Sequence, residues 1–184
     1  MIINHEYKFV FIHVPKAGGC SIRGVLEGYT ERNQFHKTIR DIPEECKEYF
    51  KFGFVRNPWD RMVSLYHFLM NNNWGNTAIE HRELRRIGFK KALLSGLLDD
   101  PVCEVDAQND AMFWLEGCDF IGRTEKMQED LRTVTQIIGH PDVTVSCLNR
   151  GEHRPYQEYY DAVSEGLVRE RHRETIERFG YAFD

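Results

Sequence analysis

The chain lacks the features that mark several common classes of protein. Of its 184 residues five are cysteine, at 20, 46, 103, 118 and 147, and no two form a CxxC pair. Odd in number and widely spaced, they signal neither a disulfide framework nor a zinc site. Reduced thiols in a cytoplasmic protein are the expectation. Positive charge is not in excess: the formal net charge is −5, whereas nonspecific nucleic-acid binders usually carry a basic surplus. A local basic pocket is still compatible with that total. No apolar run approaches the roughly 20 residues needed to cross a bilayer. Met1 to Val14 has no basic start and no small-residue cleavage site of a secretory leader. No membrane segment is therefore expected. Repeats, linkers and low-complexity stretches are missing as well, and 41% hydrophobic with 29% charged residues is an ordinary globular balance, which excludes disorder as the main state. No cluster of metal-ligating side chains is visible, and no metal is expected.

What is present is an alternation of strands and helices. Tyr7-Lys8-Phe9-Val10-Phe11-Ile12-His13-Val14 is nearly continuous apolar, aromatic and β-branched sequence, the pattern of a strand buried on both faces. His13, inside it, reads as a core or near-core side chain. Pro15 ends the strand, and Lys16-Ala17-Gly18-Gly19-Cys20-Ser21 leads to a helical run from Ile22 to Glu27. A second strand, Tyr49 to Val55, ends at Arg56. There Asn57 suits a helix N-cap, Pro58 the first helical position and Asp60 the first turn. That helix runs from Trp59 to Met70, with Trp59, Met62, Val63, Tyr66 and Leu69 on an apolar face.

Further on, Glu80 to Leu98 reads as one or two exposed helices and Gln108 to Glu116 as a short one. Asp119 to Gly122 suggests a strand, Thr124 a cap for a helix from Glu125 to Ile138, and Gly139 its stop. Val143-Thr144-Val145 reads as a last strand and Tyr159 to Phe179 as a charged terminal helix. Alternation of this kind implies an α/β fold with a mainly parallel sheet, in one domain over residues 1–184. Its ligand belongs at the carboxyl ends of the strands.

Two places carry chemistry. The loop Lys16-Ala17-Gly18-Gly19-Cys20-Ser21 has what a phosphate cradle needs: glycines that let backbone approach an anion, a helix start, a mobile cation in Lys16, and side-chain donors in Cys20 or Ser21. The plainer alternative is a strand-to-helix turn with an exposed lysine. It is not a Walker A loop, because the lysine precedes the glycines and GxxxxGK[ST] is absent. Arg56, at the end of a buried strand, can grip a phosphate bidentately, and Ser64 can offer its hydroxyl to the same anion. Otherwise Arg56 is a salt-bridge partner and Ser64 a small packing residue.

Phe11-Ile12-His13-Val14-Pro15-Lys16-Ala17-Gly18-Gly19-Cys20-Ser21, followed by Phe54-Val55-Arg56-Asn57-Pro58-Trp59-Asp60-Arg61-Met62-Val63-Ser64-Leu65-Tyr66, resembles the two PAPS-binding motifs of the carbohydrate sulfotransferases. The resemblance is to heparan-sulfate 2-O and chondroitin 4-O type enzymes and their bacterial relatives. Phe120-Ile121-Gly122-Arg123-Thr124-Glu125 and Phe179-Gly180-Tyr181-Ala182-Phe183 are similar to bacterial members too, and residues 71–110 are the least covered. The resemblance implies a three-layer, P-loop-like α/β fold with helices flanking a mainly parallel sheet. It implies PAPS (3′-phosphoadenosine 5′-phosphosulfate) as co-substrate and a carbohydrate hydroxyl as acceptor. By it the first loop, with backbone from Ala17 to Cys20, holds the 5′-phosphosulfate, and Lys16 sits near the bridging oxygen. Arg56 and Ser64 hold the 3′-phosphate. Arg154, in the loop Asn149 to Tyr156, either touches the nucleotide or is an exposed arginine. The family often has threonine where Ala17 and Cys20 stand, so two hydroxyl donors are missing here.

Transfer to a hydroxyl needs a base, a cation at the developing charge, and alignment. His36, in Gln34-Phe35-His36-Lys37-Thr38, resembles the catalytic histidine of the 2-O type enzymes and is the candidate base, with Lys16 the catalytic cation and His67 the rival base. The runner-up readings are a non-catalytic nucleotide- or glycan-binding module and a P-loop-like kinase. His140-Pro141-Asp142 reads as a helix-ending turn, and Arg169, Arg171, His172 and Arg173 as a solvated helix face. Trp74 and Trp114 are core residues or sugar-stacking platforms. The acceptor and the oligomeric state carry no decodable motif.

Overall fold

The computed structural model describes residues 1–26, 36–71, 78–98, 108–145 and 153–184. In chain order its elements are β1 (Ile2–Asn4), β2 (Phe9–Ile12), α1 (Gly19–Arg23), β3 (Phe50–Val55), α2 (Pro58–Asn71) and α3 (Ala78–Leu94). Then come α4 (Met112–Leu115), β4 (Phe120–Arg123), α5 (Met127–Ile138), α6 (Ala162–Arg171) and α7 (Arg173–Phe179). They fall into two compact units, Met1–Arg56 with Ala111–Arg150, and Asn57–Asp110 with Gly151–Asp184.

The first unit contains a four-stranded sheet in the order β1-β2-β3-β4. β2, β3 and β4 are mutually parallel, with Phe11 opposite Phe52 and Phe52 opposite Phe120. β1 is antiparallel to β2. The chain is thus mixed α/β, with a mainly parallel sheet flanked by helices. Alternate residues of β2 and β3, Phe9, Phe11, Phe52 and Phe54, turn to one face and pack with Ile22, Leu26, Leu131 and Val134. Burial of such side chains stabilises by roughly 2–3 kcal/mol each, which explains why this aromatic face organises the unit.

Val143 to Val145 is not a strand. Its backbone is met by a side chain instead: Gln128 donates Nε2–H to the Val143 carbonyl at 2.8 Å and accepts from the Val145 N–H at 2.8 Å. One amide carries both a donor and an acceptor, so it satisfies both groups that a neighbouring strand would have paired.

In the second unit Asn57 caps α2 as its sequence implies, accepting from the N–H groups of Trp59 (3.0 Å) and Asp60 (3.3 Å). Trp59, Met62, Val63, Tyr66 and Leu69 are buried in one cluster with Leu84, Phe89, Leu93, Val168 and Ile176. The stretch 80–98 does form two helical segments, but they are not simply exposed, since Leu84, Phe89, Leu93 and Leu98 are buried. α3 carries core residues and is interrupted at Gly88, whose φ of 77° is left-handed.

The terminal helix is also divided. α6 begins after Asp161, whose carboxylate caps the Ser164 N–H at 2.9 Å. It ends at His172, outside helical geometry at φ −111°, ψ 27°. Asp110 then binds the backbone N–H of Thr175 at 3.1 Å and its hydroxyl, tying down the first turn of α7. His172 is 1% exposed and so does not belong to a solvated face. Its burial is what interrupts the charged run.

Candidate active site

The site in the first unit begins where β2 ends. Lys16 has a φ of 63°, rare for a residue with a side chain, and Gly18 follows at φ 78°. A left-handed lysine costs roughly 1–2 kcal/mol; strain of this kind persists only where surrounding contacts over-determine it. Here those contacts are identifiable. The Arg56 guanidinium donates to the Lys16 carbonyl at 3.2 Å. The Thr124 hydroxyl lies 3.1 Å from the Ala17 carbonyl and 2.9 Å from that of Val55. It is shared between the two, because a hydroxyl has one proton to donate.

These bonds orient the loop. In a trans peptide the C=O and the following N–H point in opposite directions, so the Ala17 carbonyl held by Thr124 turns the Gly18 N–H the other way. At the far end of the loop Gly18 accepts from the Ser21 N–H at 3.0 Å. Ser21 is buried and Cys20 exposed, while the Ala17 methyl is only 2% exposed.

His36 is fixed from both sides of its backbone and ring. Its Nδ1 lies 3.0 Å from the backbone carbonyl of His13, and a carbonyl only accepts, so Nδ1 carries the proton. In the neutral imidazole the lone pair is then on Nε2. Trp114 donates Nε1–H to the His36 carbonyl at 3.0 Å and is fully buried; it is a support for His36 and not a platform for a sugar. Trp74 and residues 34 and 35, beside His36, lie outside the described residues.

The His13 ring sits 4.6 Å from that of His36. It also meets Gly19, where an added Cβ would come within 1.9 Å of His13 Cδ2. No side chain other than hydrogen fits at 19 with the ring in place. Burial above all, then His36, holds the His13 pKa well below the ordinary imidazole value. The neighbour of His36 is thus an uncharged ring.

Lys16 to Ser21, Arg56 and His36 therefore belong to one unit, joined through His13 and Thr124. Ser64 and Arg154 belong to the second unit. Ser64 is half-buried on α2. Arg154 is exposed, bonded to Glu158 at 3.1 Å and 5.2 Å above the Tyr159 ring. The rival base His67 has its Nε2 hydrogen-bonded with the Tyr159 hydroxyl at 2.9 Å, and burial followed by His153 lowers its pKa. Among the described residues no group of three or more His, Cys, Asp or Glu side chains is placed to hold a metal ion. Among the same residues no helix is long and apolar enough to cross a membrane.

Thr124 and His13 are the residues that reading by pattern assigns elsewhere. Thr124 does not cap α5: it opens a 3-10 turn, Thr124–Lys126, and α5 starts at Met127. The available signal was its place just beyond a parallel strand, at the end where α/β folds collect ligand contacts.

Comparison with known proteins shows what the chain is similar to. The profile of the sulfotransferase family matches residues 1–178. The crystal structure of mouse sulfotransferase SULT7A1 complexed with PAP matches with a TM-score of 0.59 at 13% identity, covering 95% of this chain and 85% of that one. At that identity the likeness is one of fold. Among curated proteins none matches.

Proposed function

The chain belongs to the sulfotransferase family, and from that premise we propose that it transfers the sulfuryl group of PAPS to a hydroxyl of a carbohydrate. The observation that carries the reading is the loop 15–21, held in a strained conformation by Arg56 and Thr124 through the carbonyls of Lys16 and Ala17. A loop whose carbonyls are tied back offers its amides to an anion.

In the proposed reaction the acceptor oxygen attacks sulfur, the bond from sulfur to the bridging phosphate oxygen breaks, and 3′,5′-bisphosphoadenosine leaves. His36 takes the hydroxyl proton at Nε2, the atom left basic by the Nδ1–H bond to His13. Lys16 faces the charge that develops on the leaving phosphate. The loop from Ala17 to Ser21 receives the 5′-phosphosulfate. Arg56 is assigned to the 3′-phosphate, and Ser64 and Arg154 to the same nucleotide, on the strength of their motifs. As in phosphoryl transfer, positioning and electrostatics supply most of the acceleration.

The test is calorimetric titration with 3′,5′-bisphosphoadenosine against 5′-AMP, followed by transfer of labelled sulfate from PAPS to a panel of glycans and small alcohols. Binding that requires the 3′-phosphate, with label on a glycan, supports the proposal. Label on a non-sugar alcohol alone would remove the carbohydrate assignment and keep the transferase. Indifference to the 3′-phosphate would overturn the donor assignment.

A further inference from the structure

His13 enters the proposed reaction through a carbonyl that fixes the tautomer of His36, yet its side chain also has a definite seat. The ring lies between the His36 ring at 4.6 Å, the Phe11 ring at 5.9 Å and near-parallel, and the backbone of Gly19. It is 7% exposed. The groups that bear on it electrostatically are His36, the Met1 ammonium, Arg23 of α1 and Lys16 of the loop, and all of them disfavour its protonation. A flat, uncharged plate thus spans from the start of α1, which follows the loop, to the side chain assigned as base.

Resting on the assignment of His36 as base, we infer that the His13 side chain is a positioning residue: a wedge that sets the His36 imidazole against the donor loop through Gly19. The wedge explains the second glycine of the loop. Gly18 is required by its left-handed φ of 78°, whereas Gly19 is required by the ring above it. Misplacing a reacting group by about 1 Å can cost on the order of 100-fold in rate. Loss of the wedge should therefore appear in kcat.

The experiment is a double-mutant cycle read in kcat, KM for PAPS and affinity for 3′,5′-bisphosphoadenosine, with thermal unfolding as a control. His13→Ala is expected to lower kcat about 10- to 100-fold with donor affinity within about threefold of wild type. Gly19→Ala pushes the ring from its seat and should reproduce that loss. In the His13→Ala background the three atoms nearest the new Cβ, all of the His13 ring, are gone, and the same Gly19→Ala change should cost less than it does alone. His13→Phe keeps a flat ring and should recover most of the rate. Wild-type kcat in His13→Ala, full additivity in the cycle, or a Phe variant no better than Ala would each overturn the wedge. His36→Ala is run beside them. If it turns over at the wild-type rate, the base assignment has failed; if it is inactive while His13→Ala is normal, only the wedge has failed.

Discussion

Thr124 reaches back from the end of β4 to the Ala17 carbonyl, 3.1 Å away, while keeping within 2.9 Å of the Val55 carbonyl. One hydroxyl so joins the loop that carries Ala17 to the carboxyl end of β3. Thr124→Val keeps the shape and removes the donor. At about 1 kcal/mol for a neutral hydrogen bond, affinity for 3′,5′-bisphosphoadenosine should fall about fivefold. Isothermal calorimetry on the two proteins checks this, and an unchanged affinity would mean that the loop does not depend on Thr124.

Arg56 has two tasks in the proposed scheme, the 3′-phosphate and the Lys16 carbonyl 3.2 Å away. Arg56→Ala should abolish the preference for 3′,5′-bisphosphoadenosine over 5′-AMP and weaken binding by on the order of 10- to 100-fold, as for loss of a charged hydrogen bond. Arg56→Lys should restore only part of it, because an ammonium lacks the planar fork. Full rescue by lysine would show that charge alone suffices.

The proposed base predicts a pH profile. kcat/KM should fall on the acid side as Nε2 of His36 takes up a proton. His36→Gln should remove most of the turnover and leave donor affinity within about threefold. Stopped-time assays from pH 5 to 9 test both points, and an acid limb that survives in the residual activity of His36→Gln would assign it to another group.

Stability should depend on pH through His172. Both of its ring nitrogens are buried, and neither has a hydrogen-bond partner among the described residues. Burial, then Arg61, then Arg171, hold its pKa well below the ordinary value of 6.5. The unfolded chain therefore binds a proton that the folded one refuses. This contribution to stability is full above about pH 6.5 and is lost as pH falls below it, by about 1.4 kcal/mol per pH unit until the folded pKa is reached. His13 behaves alike. His172→Leu should flatten part of the acid slope in urea unfolding, and at pH 7.5 it should be neutral or stabilising because an unsatisfied polar ring is gone. A slope identical to wild type would contradict the assignment.

The parts of the fold that a pattern could reveal are those whose physics is local. β2 is legible because both its faces are apolar, β3 because its alternate phenylalanines make one aromatic face, and α2 because Asn57, Pro58 and Asp60 place its start within one turn. β1 is not legible: Ile2–Asn4 is too short for any periodicity, and it forms by pairing with β2. His172 looks like one more charge in a solvated run, since nothing local announces Arg61 or Asp110. The site divides in the same way. Lys16, Arg56 and His36 carry their chemistry in their own side chains. Thr124 and His13 act through bonds to residues 107 and 23 positions away along the chain, a separation that no spacing rule spans.

Gln128 bears on the behaviour of the protein in a crowd. The Val143 carbonyl and the Val145 N–H are two positions apart, the pair of groups through which an extended segment accepts a neighbouring strand. A Val-Thr-Val stretch with those groups open would invite another copy to add itself there. With its amide on both, Gln128 acts as a stopper, and a residue that looks like an ordinary polar position of α5 leaves neither group open to another strand.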